Sequence, residues 1–369
     1  MAKNIIICFD GTRNDPEDAD QEILDEGGVE DDGISNVLKL YFLLGGRIEN
    51  LNQIKSDADD PLLQSAFDGQ PVFYFQGVGT YGGPVGKLLN AALAPRLLDV
   101  SKIIRSGIEV LRNHYAAGDK IFVFGFSRGA AIARRFSKVI TDSEHDLELD
   151  EKPVHFLGVF DTVASFGLPN LKDSELPEKT VIFKDKNRVA DNVREALHLV
   201  SLDDRRNAFR PTLMADEARV TEIWFPGVHS DVGGGYYYDG LSNIALKHMI
   251  DEVKSRFAEI QFRTPQEVAN AEFSEREFGL DFNDIKIHPD HLATIHWHTR
   301  LGDIFLSDRD PRICASKNNA AVNPVPLVHE SVFDRIADDR SYRTAALFDG
   351  IVHRSIDGTF LSLLSKSLM

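Results

Sequence analysis

The sequence predicts an α/β fold, a mostly parallel central sheet with helices on both faces, built as a single domain over residues 1–369. Three observations carry this expectation. Short continuous apolar runs, the mark of strands buried on both faces, recur along the chain. They alternate with segments of helical period. Several runs end at a loop rich in polar residues, which is where open α/β sheets bind their ligands.

The first run, Ile5 to Phe9, is followed at once by Asp10. Ser35 stands as N-cap of a helix through Leu44, with Val37, Leu38, Tyr41 and Phe42 on one face. Pro71 to Gly77 reads as a second strand leading into the glycine-rich GVGTYGG turn. A helix from about Pro95 to His114 stops at Gly118 and Asp119, and Lys120 to Phe124 is the next strand. Arg128 to Ile140 reads as a helix, and His155 to Phe160 and Val220 to Phe225 as further strands. The acidic stretch Asp15 to Asp32 is a solvated loop. Its alignment as a calcium loop fails, because Leu24 and Gly33 fall on ligand positions. The segment at about 255–321 mixes strand-like and irregular pieces and is read as a cap or insertion over the site. The tail Phe360 to Met369 is short, moderately amphipathic and expected to pack on the body.

Composition narrows the function. The chain is 43% hydrophobic and 27% charged, so a sizeable core is available. A net charge of −17 argues against nucleic acid as a partner, which needs a basic face. It argues equally against adhesion to anionic membranes through charge alone. The two cysteines form no CxxC motif, and Cys8 lies in an apolar run as a core residue. The N-terminal apolar run is too short for a secretory signal, and nothing approaches the length of a membrane helix. The expectation is a chain made in the cytoplasm without signal peptide or transmembrane segment.

Gly125-Phe126-Ser127-Arg128-Gly129 matches G-x-S-x-G between an apolar strand and a small-residue helix, the context that the motif demands. The serine sits on a strained strand-to-helix turn, and the helix N-terminus directs N–H groups and partial positive charge at a developing oxyanion. A serine needs a histidine to take its proton and an acid to orient that histidine. In an α/β-hydrolase-like fold the order is Ser, then Asp or Glu, then His. Asp161, ending VHFLGVFD, and His229, following TEIWFPG, occupy those places at strand ends. Asp231 in HSDVGGGY is the competing acid, or the residue that shapes the glycine loop, and His329 in VHESVFDR is the competing base. His288, His291, His296 and His298 suggest a metal, but no Cys or acidic residue completes a recognisable set, so neither metal nor cofactor is expected.

The N-terminal FDGT resembles the D-x-D-G-T of aspartyl phosphatases, yet Cys8 stands where their nucleophile would be. In a serine hydrolase the loop after an early strand supplies an oxyanion N–H. Gly11 or Thr12 is the candidate donor, beside the N–H of Arg128, with Asp10 and Asn14 as braces of that loop.

FDGTRN, GISNV, YFQGVGT, GFSRGAAIARR, GVFDTVASFG, LDDRRNAFRP, WFPGVHSDVGGGY and HESVFDR, in this order, resemble the DUF2235 α/β-hydrolase domain, the catalytic domain of Tle-type phospholipase effectors of type VI secretion. The resemblance runs from Asp10 to about Arg335. It implies a Ser-Asp-His esterase acting on phospholipid acyl esters, with Ser127 as nucleophile, Asp161 as acid and His229 as base. It also implies transient contact with a membrane surface, a secretion-system or immunity-protein partner, and delivery to a target-cell periplasm. Two readings compete: a soluble carboxylesterase with the same triad, and an inactive hydrolase-fold binding module.

Overall fold

The computed structural model describes residues 2–11, 33–47, 62–63, 65–77, 97–142, 145, 147–163, 187–206, 209–273, 280–297, 316–317, 320–321, 326–342, 344, 352–354 and 360–362. Among them, β1 (Asn4–Phe9), β3 (Val72–Phe75), β4 (Lys120–Phe126), β5 (Val154–Phe160), β6 (Val193–Ser201), β7 (Val220–Phe225), β10 (Leu327–Val328) and β11 (Val352–Arg354) pair in parallel in the order β3-β1-β4-β5-β6-β7-β10-β11. The short strands β2 (Leu62–Leu63) and β12 (Phe360–Ser362) add antiparallel margins at the two ends. Among the described residues, two further short strands, β8 (Ser316–Lys317) and β9 (Ala320–Ala321), pair with each other. The fold is α/β-hydrolase-like, as the sequence predicts.

The continuous apolar runs follow from burial on both faces. In β1 and β4 alternate side chains go to opposite sides. Ile6, Cys8, Phe122 and Phe124 join one core cluster, while Ile5, Ile7, Phe9, Ile121 and Val123 join another. The first face is covered by α1 (Asn36–Leu43) and by a later helix, Gly240–Arg256. The second is covered by α2 (Leu97–His114) and α3 (Ser127–Val139). Each fully buried Phe or Ile contributes about 1.5–3 kcal/mol by leaving water.

Ser35 caps α1 through its Oγ, which accepts from Leu38 N–H at 3.0 Å. Every residue of this helix is buried, Lys39 included, and the Lys39 ammonium pairs with the carboxylate of Asp239. Within the segment 255–321, Phe257, Ile260, Val268, Phe273, Leu280, Ile285 and Ile295 enter the first core cluster. Asp15 to Asp32 lies outside the described residues, as do Val78–Gly83 of the glycine-rich turn and the tail after Ser362.

One feature of the sheet departs from the sequence reading, which placed the base on the strand directly after the acid's. β6 lies between β5 and β7, in parallel register with both. Chain order positions the site. β1 is flanked by β3 on one side and β4 on the other, so the connections leave it in opposite directions. Such a switch point opens a crevice beyond the carboxyl ends of the two strands. There the chain carries Asp10 and Gly11 after β1, and Ser127 after β4.

Candidate active site

Strand β4 passes into α3 with no intervening loop: Phe126 is the last strand residue and Ser127 the first of the helix. This abrupt turn holds Ser127 at φ +56°, a left-handed conformation that L-residues adopt at a cost. The two flanking glycines make it sterically feasible. A Cβ at Gly125 would lie 2.7 Å from the Ala130 Cα, and one at Gly129 would lie 2.3 Å from the carbonyl oxygens of Phe9 and Asp10. Ser127 is 7% exposed, and its carbonyl accepts from Val163 N–H at 3.1 Å. The N–H groups of the first turn of α3, that of Arg128 among them, point towards the helix N-terminus.

Val163 belongs to the turn that follows β5, where Asp161 is fully buried at φ +34°. Its carboxylate accepts from Ser201 N–H at 3.0 Å, Ser201 Oγ at 2.8 Å and His229 Nδ1 at 2.7 Å. A carboxylate only accepts, so Nδ1 carries the proton and Nε2 of the neutral ring presents its lone pair. His229 opens α4 (His229–Gly233), is 4% exposed, and donates its backbone N–H to Asp204 Oδ2 at 3.2 Å. Its imidazole packs between Phe126, at 4.6 Å between ring centroids, and the edge of Phe209 at 4.9 Å. Phe126 immediately precedes Ser127. The structure thus joins Asp161 directly to His229 and packs the histidine against the residue bonded to the serine.

Gly11 lies beside this turn, its N–H donating to Asp10 Oδ1 at 2.6 Å. The buried Asp10 also accepts from Ser35 Oγ at 2.5 Å and Tyr74 OH at 2.6 Å, so it ties the loop after β1 to α1 and β3. Thr12 and Asn14 lie outside the described residues.

The competing residues have other bonding. Asp231 Oδ2 accepts from Val228 N–H at 2.9 Å and His296 N–H at 3.2 Å, and its Oδ1 pairs with His296 Nδ1. It accepts from the N-cap N–H of α4 and so fixes the turn that carries His229. His329 is the N-cap of the helix Glu330–Asp338, accepting from Ser331 N–H at Nδ1, and its ring stacks on Phe225 at 4.4 Å. Burial pushes its pKa down to about 3, so it stays neutral. His296 and His291 pair with different carboxylates, those of Asp231 and Asp338, and His298 lies outside the described residues.

Ser201, Asp204, Phe209 and His198 were not singled out by the sequence. The fully buried His198 accepts from Thr162 N–H at Nε2 (3.0 Å) and donates from Nδ1 to Glu222 Oε2 (2.9 Å), so it holds the residue next to Asp161. The polar cluster SLDD at the end of β6 was the available signal for the first two.

A family model described as "T6SS, Phospholipase effector Tle1-like, catalytic domain" matches residues 3–144 and 139–252, more than half of the chain and both sides of this site. The chain belongs to this family. A curated relative, the uncharacterized protein YEL023C of Saccharomyces cerevisiae, is 26% identical over 260 residues, covering 56% of this chain and 32% of the relative. Among solved structures, an uncharacterized protein from Pseudomonas aeruginosa is similar at 22% identity and a TM-score of 0.45, covering 75% of this chain and 50% of that one. The Tle1 effector bound to the VgrG spike of a type VI secretion system is similar at 21% identity and a TM-score of 0.38, covering 64% and 51%. EstE1, a thermostable carboxylesterase from a metagenomic library, stands at 13% and 0.33, covering 69% and 80%. The chain spans about a third of the curated relative's length and about half of each of the first two solved chains. No helix among the described residues is long and apolar enough to cross a membrane.

Proposed function

We propose that this chain is a serine ester hydrolase that releases fatty acid from phospholipids. The single observation that carries the reading is the 2.7 Å bond from His229 Nδ1 to the buried Asp161, made beside a serine held at φ +56°. Nε2 of His229 takes the proton of Ser127 as Oγ attacks the acyl carbonyl. Asp161 keeps the ring in the tautomer that can do so and stabilises the imidazolium that forms. The oxyanion draws on the Arg128 N–H at the start of α3, assisted by Gly11 or Thr12. For Gly11 to take part, its N–H exchanges the Asp10 carboxylate for the substrate oxygen. Collapse returns the proton from His229 to the leaving alcohol and leaves an acyl-serine. Water, deprotonated by the same Nε2, then releases the acid and restores Ser127. This cycle draws on the chain's own groups alone.

Membership of the Tle1-like family supports the phospholipid substrate and, with it, carriage by a type VI spike, an immunity protein as antagonist, and work in a target-cell periplasm. The experiment is fatty-acid release from phosphatidylcholine vesicles and from a short-chain soluble ester, by wild type and Ser127→Ala. Loss of vesicle hydrolysis in the variant is expected. Activity confined to the soluble ester would replace the phospholipase with a carboxylesterase, and undiminished turnover in Ser127→Ala would refute the mechanism.

A further inference from the structure

Strand β6 ties down the main chain of Asp161 from both sides. Its Leu199 carbonyl accepts from Asp161 N–H at 2.7 Å, and its His198 Nε2 accepts from Thr162 N–H at 3.0 Å. A regular parallel ladder would next take the Ser201 N–H to the Asp161 main-chain carbonyl, since Phe160 lies in register with Leu199. Asp161 leaves the strand at φ +34°, and the Ser201 N–H goes to its Oδ1 instead, at 3.0 Å. The side chain of the acid thus stands where a main-chain oxygen would continue the pairing of β5 with β6.

With the main chain held, rotation of the carboxylate is what is left to fix. The torsion about the Cβ–Cγ bond of an aspartate is broad and roughly two-fold, so it does not by itself decide how the oxygens face His229. Ser201 decides it. Its N–H holds Oδ1, and its Oγ holds Oδ2 at 2.8 Å, the same oxygen that accepts from His229 Nδ1 at 2.7 Å. Oγ is the donor in that bond, because an ionised carboxylate only accepts. Both residues are 0% exposed, so bulk water is not on hand to replace the hydroxyl. Two donors from one residue therefore set the plane of the carboxylate, and that plane sets the direction of its bond to the imidazole. Proton transfer depends steeply on such orientation, and a side chain that locks the acid also locks the base.

We propose that Ser201 is a positioning residue of the candidate triad: its hydroxyl locks the Asp161 carboxylate in the plane that holds His229 for proton transfer. This role rests on the ester-hydrolase reading, and Ser201 acts in it through the acid.

Ser201→Ala removes the donor. Ser201→Cys keeps the side chain's volume, and with it the packing, but offers only a weak donor, so it carries the test should the alanine variant not fold. With the soluble ester, Ser201→Ala is expected to lower kcat about tenfold, the loss of one charge-assisted hydrogen bond, with KM unchanged within about twofold. Ser201→Cys is expected to lose at least about threefold. A kcat in Ser201→Ala within about twofold of wild type overturns the role. So does full activity in Ser201→Cys beside a loss in Ser201→Ala, which would reduce the hydroxyl to a packing group. Because the effect runs through Asp161, adding Ser201→Ala to Asp161→Asn should cost less than about twofold more, and a further tenfold loss there overturns it as well. The second readout needs no turnover. In Ser127→Ala protein the nitrogen NMR signal of His229 Nδ1, identified by its loss in His229→Asn, is expected to move when Ser201→Ala is added. An unmoved signal overturns the proposal. If wild type cleaves no ester, the hydrolase reading fails, while this signal still decides whether Ser201 holds the pair of Asp161 and His229.

Discussion

Replacing Asp161 by Asn removes a charge and leaves the shape, and the surrounding bonds dictate what the amide must do. Oδ1 accepts from Ser201 N–H at 3.0 Å, while Oδ2 accepts from Ser201 Oγ at 2.8 Å and His229 Nδ1 at 2.7 Å. If the amide oxygen takes the place of Oδ1, the NH2 faces Ser201 Oγ and Nδ1, both of which can turn acceptor. The opposite orientation sets NH2 against the Ser201 N–H, two donors in a buried site, at a cost of about 1–3 kcal/mol. The first orientation therefore wins. It makes Nδ1 the acceptor and moves the ring proton to Nε2, so His229 offers Ser127 a proton instead of a lone pair. A change of this kind lowers kcat about 10⁴-fold, or about 5.4 kcal/mol of transition-state stabilisation. The bond count is preserved, so stability falls by no more than about 1–2 kcal/mol, a shift of a few degrees in Tm. Initial rates with the soluble ester, beside thermal unfolding, test both figures. A folded Asp161→Asn protein that retains more than about a tenth of wild-type kcat would refute the argument that Asp161 sets the tautomer.

His329→Asn should keep its activity, because the Asn oxygen replaces Nδ1 as acceptor of Ser331 N–H. Its stability falls about 1–2 kcal/mol with loss of the stack on Phe225, whereas His229→Asn should lose turnover at least about a thousandfold. Initial rates decide between the two histidines. Burial holds the Asp284 carboxyl at about 6 against an ordinary 3.8. The folded protein thus favours the protonated form, whose stabilisation is complete below the ordinary value and is lost as pH rises through about 6. Asp284→Asn should exceed wild type in stability by up to about 3 kcal/mol near pH 8, with the gap closing below about pH 4, as read by denaturant midpoints. Gly129→Ala should cost about 2–3 kcal/mol and most of the activity, since the new Cβ meets two backbone carbonyls that have no rotamer to escape into. Gly118→Ala, where nothing lies within 4 Å but φ is +89°, should cost about 1 kcal/mol and leave turnover alone.

The fold was legible where sequence and tertiary context agree. Apolar runs such as IIICF and IFVFGF read as buried strands because their sheet positions bury both faces. The serine turn was legible for the same reason, an apolar run meeting G-x-S-x-G. β6 was not. VREALHLVS carries Arg194 and Glu195 near its start and is rich in residues that suit a helix, and it becomes a strand by pairing between β5 and β7. Missing it hid Ser201 at its end, His198 within it and Asp204 just beyond. Asp231 and His329 stood out as residue types, but their bonding depends on partners that residue type does not disclose. Asp231 binds His296, sixty-five positions away, and His329 binds a serine two positions on as a helix cap.

The buried pair of Lys39 and Asp239 has a consequence for how the chain can be divided. It joins α1, in the first eighth of the sequence, to the start of the helix Gly240–Arg256 across 200 positions. A fragment that stops before Asp239 would seal an ammonium group inside an apolar shell with no counter-charge, a defect of about 3–5 kcal/mol. The amino-terminal strands and the serine turn therefore do not make a free-standing half to which later elements were added. Any piece that keeps Ser127 in working geometry has to reach past Asp239, and truncations should fail abruptly at that point instead of fading by degrees.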